Sequence, residues 1–333
     1  MNKIMSRIKS FSFFCIFFLL GLISDSSLAL ASTNPINSTT PYQAGVSVAD
    51  ITPCTNLFDR LGICPSDSIR VDVETLLMFW GTGTTEAISI ERPVSVRAFA
   101  IADSNNRRMV FVSADVHAFD AEFAQEIRAR VGLSRGLAPE EVLINGTHTH
   151  NVPALRRWPA AGIEPNQQYA EGVMSKTVQA IEQAIDRMVP ASLLFGTGAS
   201  SIGVYRRSDG YFLNNTPYNQ RVDVLEAQNS FGTTLAVAFF YGCHPVNTLF
   251  LNKISPDYPG VARAYVEERL RNSGSPDATA IFFQGFGGDI NPYEFAYPDS
   301  SRPSLEQQMT KTGEDLGQSV IEARSFMNPL SGS

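Results

Sequence analysis

Short runs of alternating hydrophobic and polar residues recur along the chain, and longer runs repeat their apolar residues at helical spacing. Alternate residues of a strand share one face, whereas residues three or four apart share one face of a helix. The alternating and continuously apolar runs predict strands at 44–51, 73–80, 94–102, 109–113, 142–144, 193–202, 222–227, 234–241 and 279–283. The helical spacing predicts helices at 121–131, 169–188, 258–270 and 305–323.

Two turn sequences join neighbouring strands into predicted hairpins. Asp-Ser-Asn-Asn at 103–106 separates strands 94–102 and 109–113, and Asn-Ser-Phe-Gly at 229–232 separates the strands on either side of it. Such residues favour tight turns between antiparallel strands. Other strands alternate with helices, which indicates strand–helix–strand units. We therefore predict the α/β class with a mixed (α+β) sheet, in a single large domain with helices packed on that sheet.

The first 31 residues contain the three parts of a secretory signal peptide. Basic residues precede an uncharged apolar segment at 11–23, and Ala-Leu-Ala at 29–31 suits signal-peptidase cleavage. The apolar segment is too short for a comfortable membrane span, and no later segment is long enough. We therefore expect a secreted or periplasmic protein with no transmembrane segment after removal of 1–31. An uncleaved anchor is the alternative.

The composition changes after the predicted signal peptide. Residues 32–41 are rich in Ser, Thr, Asn and Pro, so we predict a disordered leader there and a folded domain at 42–328. Cys54 and Cys64 lie close together in a loop that contains Pro and Gly, and in an exported chain such a pair predicts a disulfide. Cys243 follows an apolar strand. We expect a buried thiol there, with a thiol nucleophile or a zinc ligand as the alternative.

The charge balance of the chain is acidic. It has 26 Lys and Arg residues against 33 Asp and Glu residues, a net charge of −7 at pH 7. Proteins that bind the phosphate backbone of nucleic acids concentrate positive charge instead. We therefore expect no nucleic-acid partner.

All four histidines of the chain follow predicted strands. His148 and His150 form an H-x-H pair, His117 and His244 follow two other strands, and Asp289 ends a further one. Alternate residues of an extended segment point the same way, so the H-x-H pair can chelate one ion if its loop stays extended. Imidazole suits zinc, and a catalytic zinc has three protein ligands and an open position for water. We predict a zinc site at one edge of the sheet, which His244 and Asp289 are candidates to complete; a buried core histidine is the alternative for any one of them.

Other polar residues stand where elements end. Asp115 and Asp257 could each orient a histidine, or serve only as a cap or turn residue. Asp257 precedes a predicted helix and would be its N-cap. Arg206 and Arg207 stand in a polar turn, where either could hold a carbonyl or an oxyanion; a surface turn is the simpler alternative.

Seven short blocks carry a resemblance to a known family, and they occur in that family's order. The blocks are 44–53 (AGVSVADITP), 112–115 (VSAD), 144–150 (INGTHTH), Arg207-Ser208 with Tyr211 and Asn214-Asn215, His244-Pro245, 254–257 (ISPD) and 288–292 (GDINP). This ordered set resembles the catalytic domain of neutral/alkaline non-lysosomal ceramidases. The resemblance covers roughly 42–325, so we expect a ceramidase-like catalytic domain at 42–328.

The resemblance implies a secreted zinc amidase that splits the amide of N-acylsphingosine, a lipid at a membrane or micelle surface, into fatty acid and sphingosine. It implies that His148 and His244 are zinc ligands. It implies that His150 lies beside the metal and contacts the substrate or water, and that Arg207 polarises the amide or stabilises its oxyanion. We expect His150 or Asp289 to handle the proton.

The remaining candidates come from the same blocks. We expect Asp115 and Asn291 to contact the substrate. Asn291 stands where the family often has a serine that is proposed to act in catalysis, so that serine is not available here. The family's further zinc ligands, a glutamate in a P-G-E-type segment and a tyrosine, have no counterpart up to Ser333. We therefore expect a shortened or divergent member. The alternatives are a non-catalytic lipid-binding relative and a metal hydrolase of another amide or ester.

Overall fold

A computed structural model describes residues 41–80, 83–155, 157, 163–207, 216–293 and 303–331. The predicted signal peptide, nearly all of the predicted leader, Ser208, Tyr211 and Asn214-Asn215 lie outside these residues. The helices are α1 (Asn56–Arg60), α2 (Ala121–Arg135), α3 (Gln167–Asp186), α4 (Asp257–Asn272) and α5 (Leu305–Arg324), with a 3-10 turn at Pro139–Glu141. No helix in this part of the chain is long and apolar enough to cross a membrane.

The strands follow the predicted order along the chain, with short additional ones between them. They are β1 (Tyr42–Asp50), β2 (Pro53–Cys54), β3 (Ile69–Arg70), β4 (Leu77–Trp80), β5 (Gly83–Glu86), β6 (Ser89–Ile90), β7 (Ser95–Asp103), β8 (Arg108–Ala114), β9 (Val142–Gly146), β10 (Val189–Ala199), β11 (Gly203–Tyr205), β12 (Arg221–Asn229), β13 (Thr234–Tyr241), β14 (Lys253–Ile254), β15 (Thr279–Gln284), β16 (Ile290–Pro292) and β17 (Asn328–Pro329).

One large mixed sheet organises the molecule, as predicted. Its strand order is β15-β13-β12-β10-β1-β7-β8-β9, and β17 pairs with β10. The pairs β13–β15 and β8–β9 are parallel, and the other pairs in this sheet are antiparallel. A parallel pair needs a crossover connection, and α4 and α2 lie in these two crossovers. The α/β class with a mixed sheet is therefore confirmed.

The two predicted hairpins, β7–β8 and β12–β13, are both present. In the first turn, the Asp103 carboxylate accepts the main-chain N–H groups of Asn105 and Arg107 at 2.9 and 2.8 Å. In the second, the Asn229 side chain accepts the N–H of Phe231 at 2.9 Å, and Gly232 has a φ of 79°. Short polar side chains and a left-handed glycine are the turn chemistry on which the prediction depended.

Separate hydrophobic cores lie on the two halves of the sheet. Helix α3 packs on β1 and β7, and α2 packs on α3. These elements enclose a core that includes Ile127, Val173 and Ile181. Helices α4 and α5 pack on each other and against β10, β12 and β15, around a core that includes Val266 and Leu316. A third, aromatic cluster joins Phe99, Phe111 and Phe283.

The two ends of this sheet meet at the carboxyl ends of β9 and β15. The Asn145 side-chain amide donates to the carbonyl of Gln284 at 3.2 Å, and its oxygen accepts the Gln284 main-chain N–H at 3.0 Å. Nearby, the Ser113 hydroxyl donates to the Phe282 carbonyl. The loops that follow β8, β9, β13 and β15 are thereby brought to one place.

The cysteines behave as predicted. Cys54 and Cys64 form a disulfide. Cys243 is a buried free cysteine, and burial raises the pKa of its thiol well above the ordinary value. A protonated thiol is a poor nucleophile and a poor metal ligand, so the buried-thiol interpretation is the one that the structure supports.

Candidate metal centre

All four histidines of the chain lie in one cluster at the meeting point of the loops. The ring centroids of His117 lie 4.4 Å from His148 and 4.7 Å from His150, and those of His148 and His150 are 5.1 Å apart. The His244 ring lies 4.9 Å from His148 and 5.7 Å from His150. The structure therefore brings His148 and His244 together, as the predicted site requires.

The ligand nitrogen atoms of three of these histidines are close enough to share one ion. Among the described residues, the ligand atoms of His117, His148 and His150 all lie within 4.8 Å of one another. Tetrahedral zinc with Zn–N bonds of about 2.0–2.1 Å places its ligand nitrogens about 3.3 Å apart. Closing the cluster around zinc therefore requires ring movements of only about 1 Å. The donor set and its spacing fit this ion.

Main-chain carbonyl groups orient two of the rings. Nδ1 of His148 donates to the carbonyl of His117 at 2.8 Å, and Nδ1 of His244 donates to the carbonyl of Gly287 at 2.7 Å. A carbonyl can only accept, so each Nδ1 carries the hydrogen and each Nε2 keeps its lone pair. Outer partners of this kind fix the tautomer of metal-binding histidines.

The surroundings of His148, His150 and His244 lower their pKa values and favour the neutral imidazole in the metal-free protein. Burial is the main cause that lowers the pKa of His150 to about 2, and the neighbouring histidines lower it further. Burial, followed by the charge of His148, lowers the pKa of His244 to about 4. Burial also lowers the pKa of His148. Neutral imidazole is the form that binds a metal, so the site needs little proton release to accept one.

The H-x-H loop is not extended at His148, so strand alternation is not what brings the pair together. His148 has a φ of 71°, in the left-handed region that residues other than glycine rarely occupy. Main-chain bonds hold this conformation, since the N–H of Thr147 donates to the Ala114 carbonyl at 2.8 Å and that of His148 to the Val116 carbonyl at 3.0 Å. The His148 and His150 rings meet because of this turn rather than because of strand alternation. Such strain is typical of functional sites.

Buried polar side chains tie the loop of His150 to the loop of His244. The side-chain amide of Asn151 donates to the carbonyls of Thr248 and Leu251, both at 2.8 Å. The Thr149 hydroxyl donates to the Ser255 carbonyl at 2.8 Å. These bonds set the distance between the two histidine-bearing loops.

Asp257 belongs to the same polar network and is not the N-cap that its position predicts. The cap position falls one residue earlier, at Pro256. Asp257 has a φ of 56°, and its buried carboxylate accepts the N–H groups of Thr248 and Tyr258, both at 2.7 Å. The Asp257 carboxylate thus holds the loop that follows His244, and Asp257 does not occupy the N-cap position of its helix.

Asp115, predicted to contact the substrate, is fully buried behind β8. Its carboxylate forms two hydrogen bonds with the Arg263 guanidinium, at 2.8 and 2.7 Å, and accepts the Ser95 N–H at 2.9 Å. Contact with a substrate would require this ion pair to open. The arrangement suits a residue that fixes the start of the His117 loop, and the predicted contact stays a prediction.

The predicted arginine and its neighbour both converge on the carbonyl of Gly288. The Arg206 guanidinium donates to it at 2.8 Å and that of Arg207 at 3.4 Å. The charge of Arg206 is also among the causes that lower the pKa of His148, His150 and His244.

Asp289 and Asn291 lie in the same segment as that carbonyl. Asp289 is exposed, and its main-chain carbonyl accepts the Arg206 N–H at 2.8 Å. Asn291 is buried on β16, beside Ile290, whose carbonyl accepts the His244 N–H at 2.9 Å. The structure therefore places both predicted residues at the His244 side of the cluster.

A close approach of the main chain shapes this side of the site. A Cβ atom on Gly287 would lie 2.5 Å from the side-chain nitrogen of Gln284 and 2.7 Å from the main-chain nitrogen of Cys243. A larger residue there would displace the carbonyl that orients His244. Glycine is thus required by contact with the neighbouring loop.

Two residues at the site, His117 and Arg206, were not assigned a role by the sequence. His117 was not among the predicted ligands, although it follows a strand as the other histidines do. Arg206 was weighed with Arg207, but the resemblance favoured the latter. The available signal was that the chain has only four histidines, all after strands.

The model of the neutral/alkaline non-lysosomal ceramidase N-terminal family matches residues 60–310. The chain belongs to this family. The family predicted from the ordered blocks is therefore confirmed. The ceramidase family match covers the loops of all four histidines and both arginines.

Individual ceramidases share a modest part of their sequence with this chain. Neutral ceramidase A of Dictyostelium discoideum is 26% identical over an alignment of 299 residues that covers 82% of this chain and 39% of that protein. Neutral ceramidase B of the same organism is 27% identical over 75% of this chain and 35% of its own length. The neutral ceramidase of Drosophila melanogaster is 23% identical over 77% of this chain and 39% of its own length. This chain spans less than two fifths of these relatives.

A solved ceramidase has the same fold. The crystal structure of neutral ceramidase from Pseudomonas aeruginosa superposes with a TM-score of 0.70 at 20% identity, over 87% of this chain and 45% of that one. This likeness confirms the fold class.

Proposed function

We propose that this chain is a zinc-dependent amidohydrolase that acts outside the cytoplasm, secreted or periplasmic, and cleaves N-acylsphingosine into fatty acid and sphingosine. The observation that carries the proposal is the meeting of His148, His150 and His244, neutral and partly oriented by carbonyls, in a member of the ceramidase family. The three named relatives are neutral ceramidases. We assign the catalytic domain to 42–328.

In this proposal His148 and His244 hold the ion through Nε2, because their Nδ1 atoms are bound to carbonyls. When bound, zinc polarises a carbonyl and makes a water molecule more acidic. The carbonyls of His117 and Gly287 would hold the two rings with Nε2 available to the ion. The buried network around Asn151 and Asp257 keeps their loops at a fixed separation.

The remaining residues serve the charge and the proton of amide cleavage. Water adds to the carbonyl carbon, the C–N bond breaks, and one proton passes to the leaving amine. We propose that His150, beside the metal, or Asp289, at the exposed edge, carries that proton. Arg207, together with Arg206, supplies positive charge for the oxyanion that forms on the carbonyl oxygen. Asn291 and Asp115 retain their predicted place as substrate contacts, with Asp115 dependent on opening of its ion pair.

A lipid substrate suits the surface next to the site. Phe286 is 82% exposed and adjoins Gly287, whose carbonyl orients His244. Tyr293, also exposed, directly follows β16, the strand that carries Asn291. Exposed apolar side chains grouped beside a site are typical of surfaces that meet an apolar ligand. We propose that they face the acyl chains of a lipid amide at a membrane or micelle surface.

The test is metal analysis and turnover of the purified protein. Wild type should hold one zinc per chain and release fatty acid from labelled N-acylsphingosine. His148→Ala and His244→Ala should each lose zinc and turnover, whereas Asp289→Asn should keep zinc and lose turnover if it carries the proton. Unchanged zinc content in both histidine variants would overturn the proposal.

A second candidate is a non-catalytic lipid-binding relative. It is favoured by Asn291, which stands where the family often has a serine. Tight binding of labelled lipid without release of fatty acid, in zinc-loaded protein, would establish it. Turnover of short-acyl amides or esters but not of lipid amides would instead identify a metal hydrolase with another substrate.

A further inference from the structure

The family resemblance assigns two histidines of this chain, His148 and His244, to the proposed zinc, and catalytic zinc sites use three protein ligands. The described part of the chain offers one more imidazole that the family resemblance does not assign. His117 lies beyond the matched block that ends at Asp115. Its ligand nitrogen nevertheless lies within 4.8 Å of those of His148 and His150.

We propose that His117 is a third protein ligand of the zinc held by His148 and His244, an inference that rests on the proposed function. Its ring lies 4.4 Å from that of His148 and 4.7 Å from that of His150. Imidazoles that share a tetrahedral zinc have centroids about 5 Å apart, given Zn–N bonds of about 2 Å. The separations of His117 from His148 and His150 match shared ligation, and the His148 ring in turn lies 4.9 Å from that of His244.

The loop that carries His117 is held as a ligand loop should be. It begins at Asp115, whose carboxylate is fixed by Arg263 and Ser95. It is tied to the H-x-H loop through the N–H of His148, which donates to the Val116 carbonyl at 3.0 Å. Rigid loops of this kind keep a ligand near its bound position.

Two roles of His117 can be separated by substitution, because they use different atoms. Its main-chain carbonyl accepts the hydrogen bond from Nδ1–H of His148, whereas its ring lies beside the ring of His148. His117→Ala and His117→Phe remove the imidazole and leave that carbonyl in place. The Phe variant also keeps a ring to pack against His148. His117→Asp replaces the imidazole with another group that binds zinc.

The experiment measures zinc affinity by chelator competition in wild type and the three variants of the full chain. Loss of an outer partner costs about 10- to 100-fold in metal affinity, so loss of a direct ligand should exceed about 100-fold. We expect that loss in His117→Ala and His117→Phe, and a smaller one in His117→Asp. Cobalt-loaded wild type and His117→Asp should share a tetrahedral visible spectrum that His117→Phe lacks. Circular dichroism of the metal-free proteins identifies any variant that does not fold, and the folded ones decide the result.

The outcomes distinguish this inference from the proposed function. If wild type binds zinc and the Phe variant binds it within about 10-fold as tightly, His117 is not a ligand, while the hydrolase proposal stands. If His148→Ala and His244→Ala leave zinc content unchanged, the proposed function fails and this inference fails with it. A loss in the Phe variant that Asp partly restores supports the assignment.

Discussion

The buried ion pair between Arg263 and Asp115 permits a direct test of the electrostatics behind the candidate site. The two side chains are 3% and 0% exposed, and two guanidinium nitrogens lie 2.8 and 2.7 Å from the carboxylate oxygens. Arg263→Met keeps an apolar stem but leaves the Asp115 carboxylate buried with Ser95 as its remaining donor among the bonds described. The variant therefore isolates the loss of the counter-charge.

The expected loss of stability is large because the remaining charge stays desolvated. Removing one partner of a buried ion pair costs about 3–5 kcal/mol. Two hydrogen bonds to a charged group, at about 1.5–3 kcal/mol each, give a similar total. The Ser95 donors offset part of this cost, so we expect Arg263→Met to lower the free energy of unfolding by about 3–4 kcal/mol.

The assay is urea denaturation of the metal-free protein followed by circular dichroism, with an exposed ion pair as the control. Arg130 pairs with Glu171, and these side chains are 36% and 57% exposed. Arg130→Met should therefore cost under about 1 kcal/mol. Adding Asp115→Asn to Arg263→Met removes the uncompensated charge and keeps an acceptor for Ser95, so it should recover part of the loss.

Two results would refute this reasoning. Equal losses in Arg263→Met and Arg130→Met would show that the buried pair contributes no more than a surface pair. A double variant less stable than Arg263→Met alone would show that the buried negative charge is not the source of the loss.

Further predictions concern the loops, the imidazoles and the disulfide. Asn151→Ala should lower the free energy of unfolding by about 2–4 kcal/mol in urea titrations, because two buried carbonyls lose their donor; exposed Asn105→Ala is the control. His244 has a pKa of about 4 when folded and 6.5 ordinarily, so the unfolded chain binds more protons between these values, and this group alone should cost the metal-free protein on the order of 3 kcal/mol of stability as pH falls from 6.5 to 4. Titrations at both pH values test this, and His244→Ala should reduce the slope, while the lowered pKa values of His148 and His150 maintain the remainder. Replacing Cys54 and Cys64 by Ala should cost about 2–3 kcal/mol by calorimetry, since the bond closes a loop of separation 10.

Local chemistry explains why the hairpins and most helices were predicted correctly from the sequence. The Asp103 and Asn229 turns are stabilised by side chains that bond within four residues. Helix α2 starts at the N-cap Asp120, whose carboxylate accepts the Phe123 N–H at 2.8 Å, and is followed by Gly136 with a φ of 65°. Such signals lie within one short window of the chain.

The errors arose where distant contacts override local preference. Asp257 has the sequence position of an N-cap, but its carboxylate accepts hydrogen bonds from Thr248, which lies in the loop after His244. His148 stands in a pattern that favours extended backbone, but bonds to Ala114 and Val116 turn its loop. Tertiary hydrogen bonds of this kind leave no periodic trace in the sequence.

The convergence of the four histidines was predicted from a simple rule, that residues after strands gather at a sheet edge. The rule does not say which strand ends meet. The meeting of His148 with His244 depends on Asn145 and Gln284, which join strands from opposite ends of the sheet. His117 was missed because the resemblance assigned roles only inside matched blocks, and its nearest block ends at Asp115.

The division of the interior into two helix-covered cores has a consequence for cooperativity. The H-x-H loop extends from the half covered by α2 and α3, and His244 from the half covered by α4 and α5. A cation bound by rings from both halves binds only when both halves are folded. Its binding would therefore raise the free energy of unfolding of the two halves together. Removing it with a chelator should therefore lower the temperature of their unfolding transition. The proposed metal site would then also stabilise the association of the two helix-covered halves of the domain.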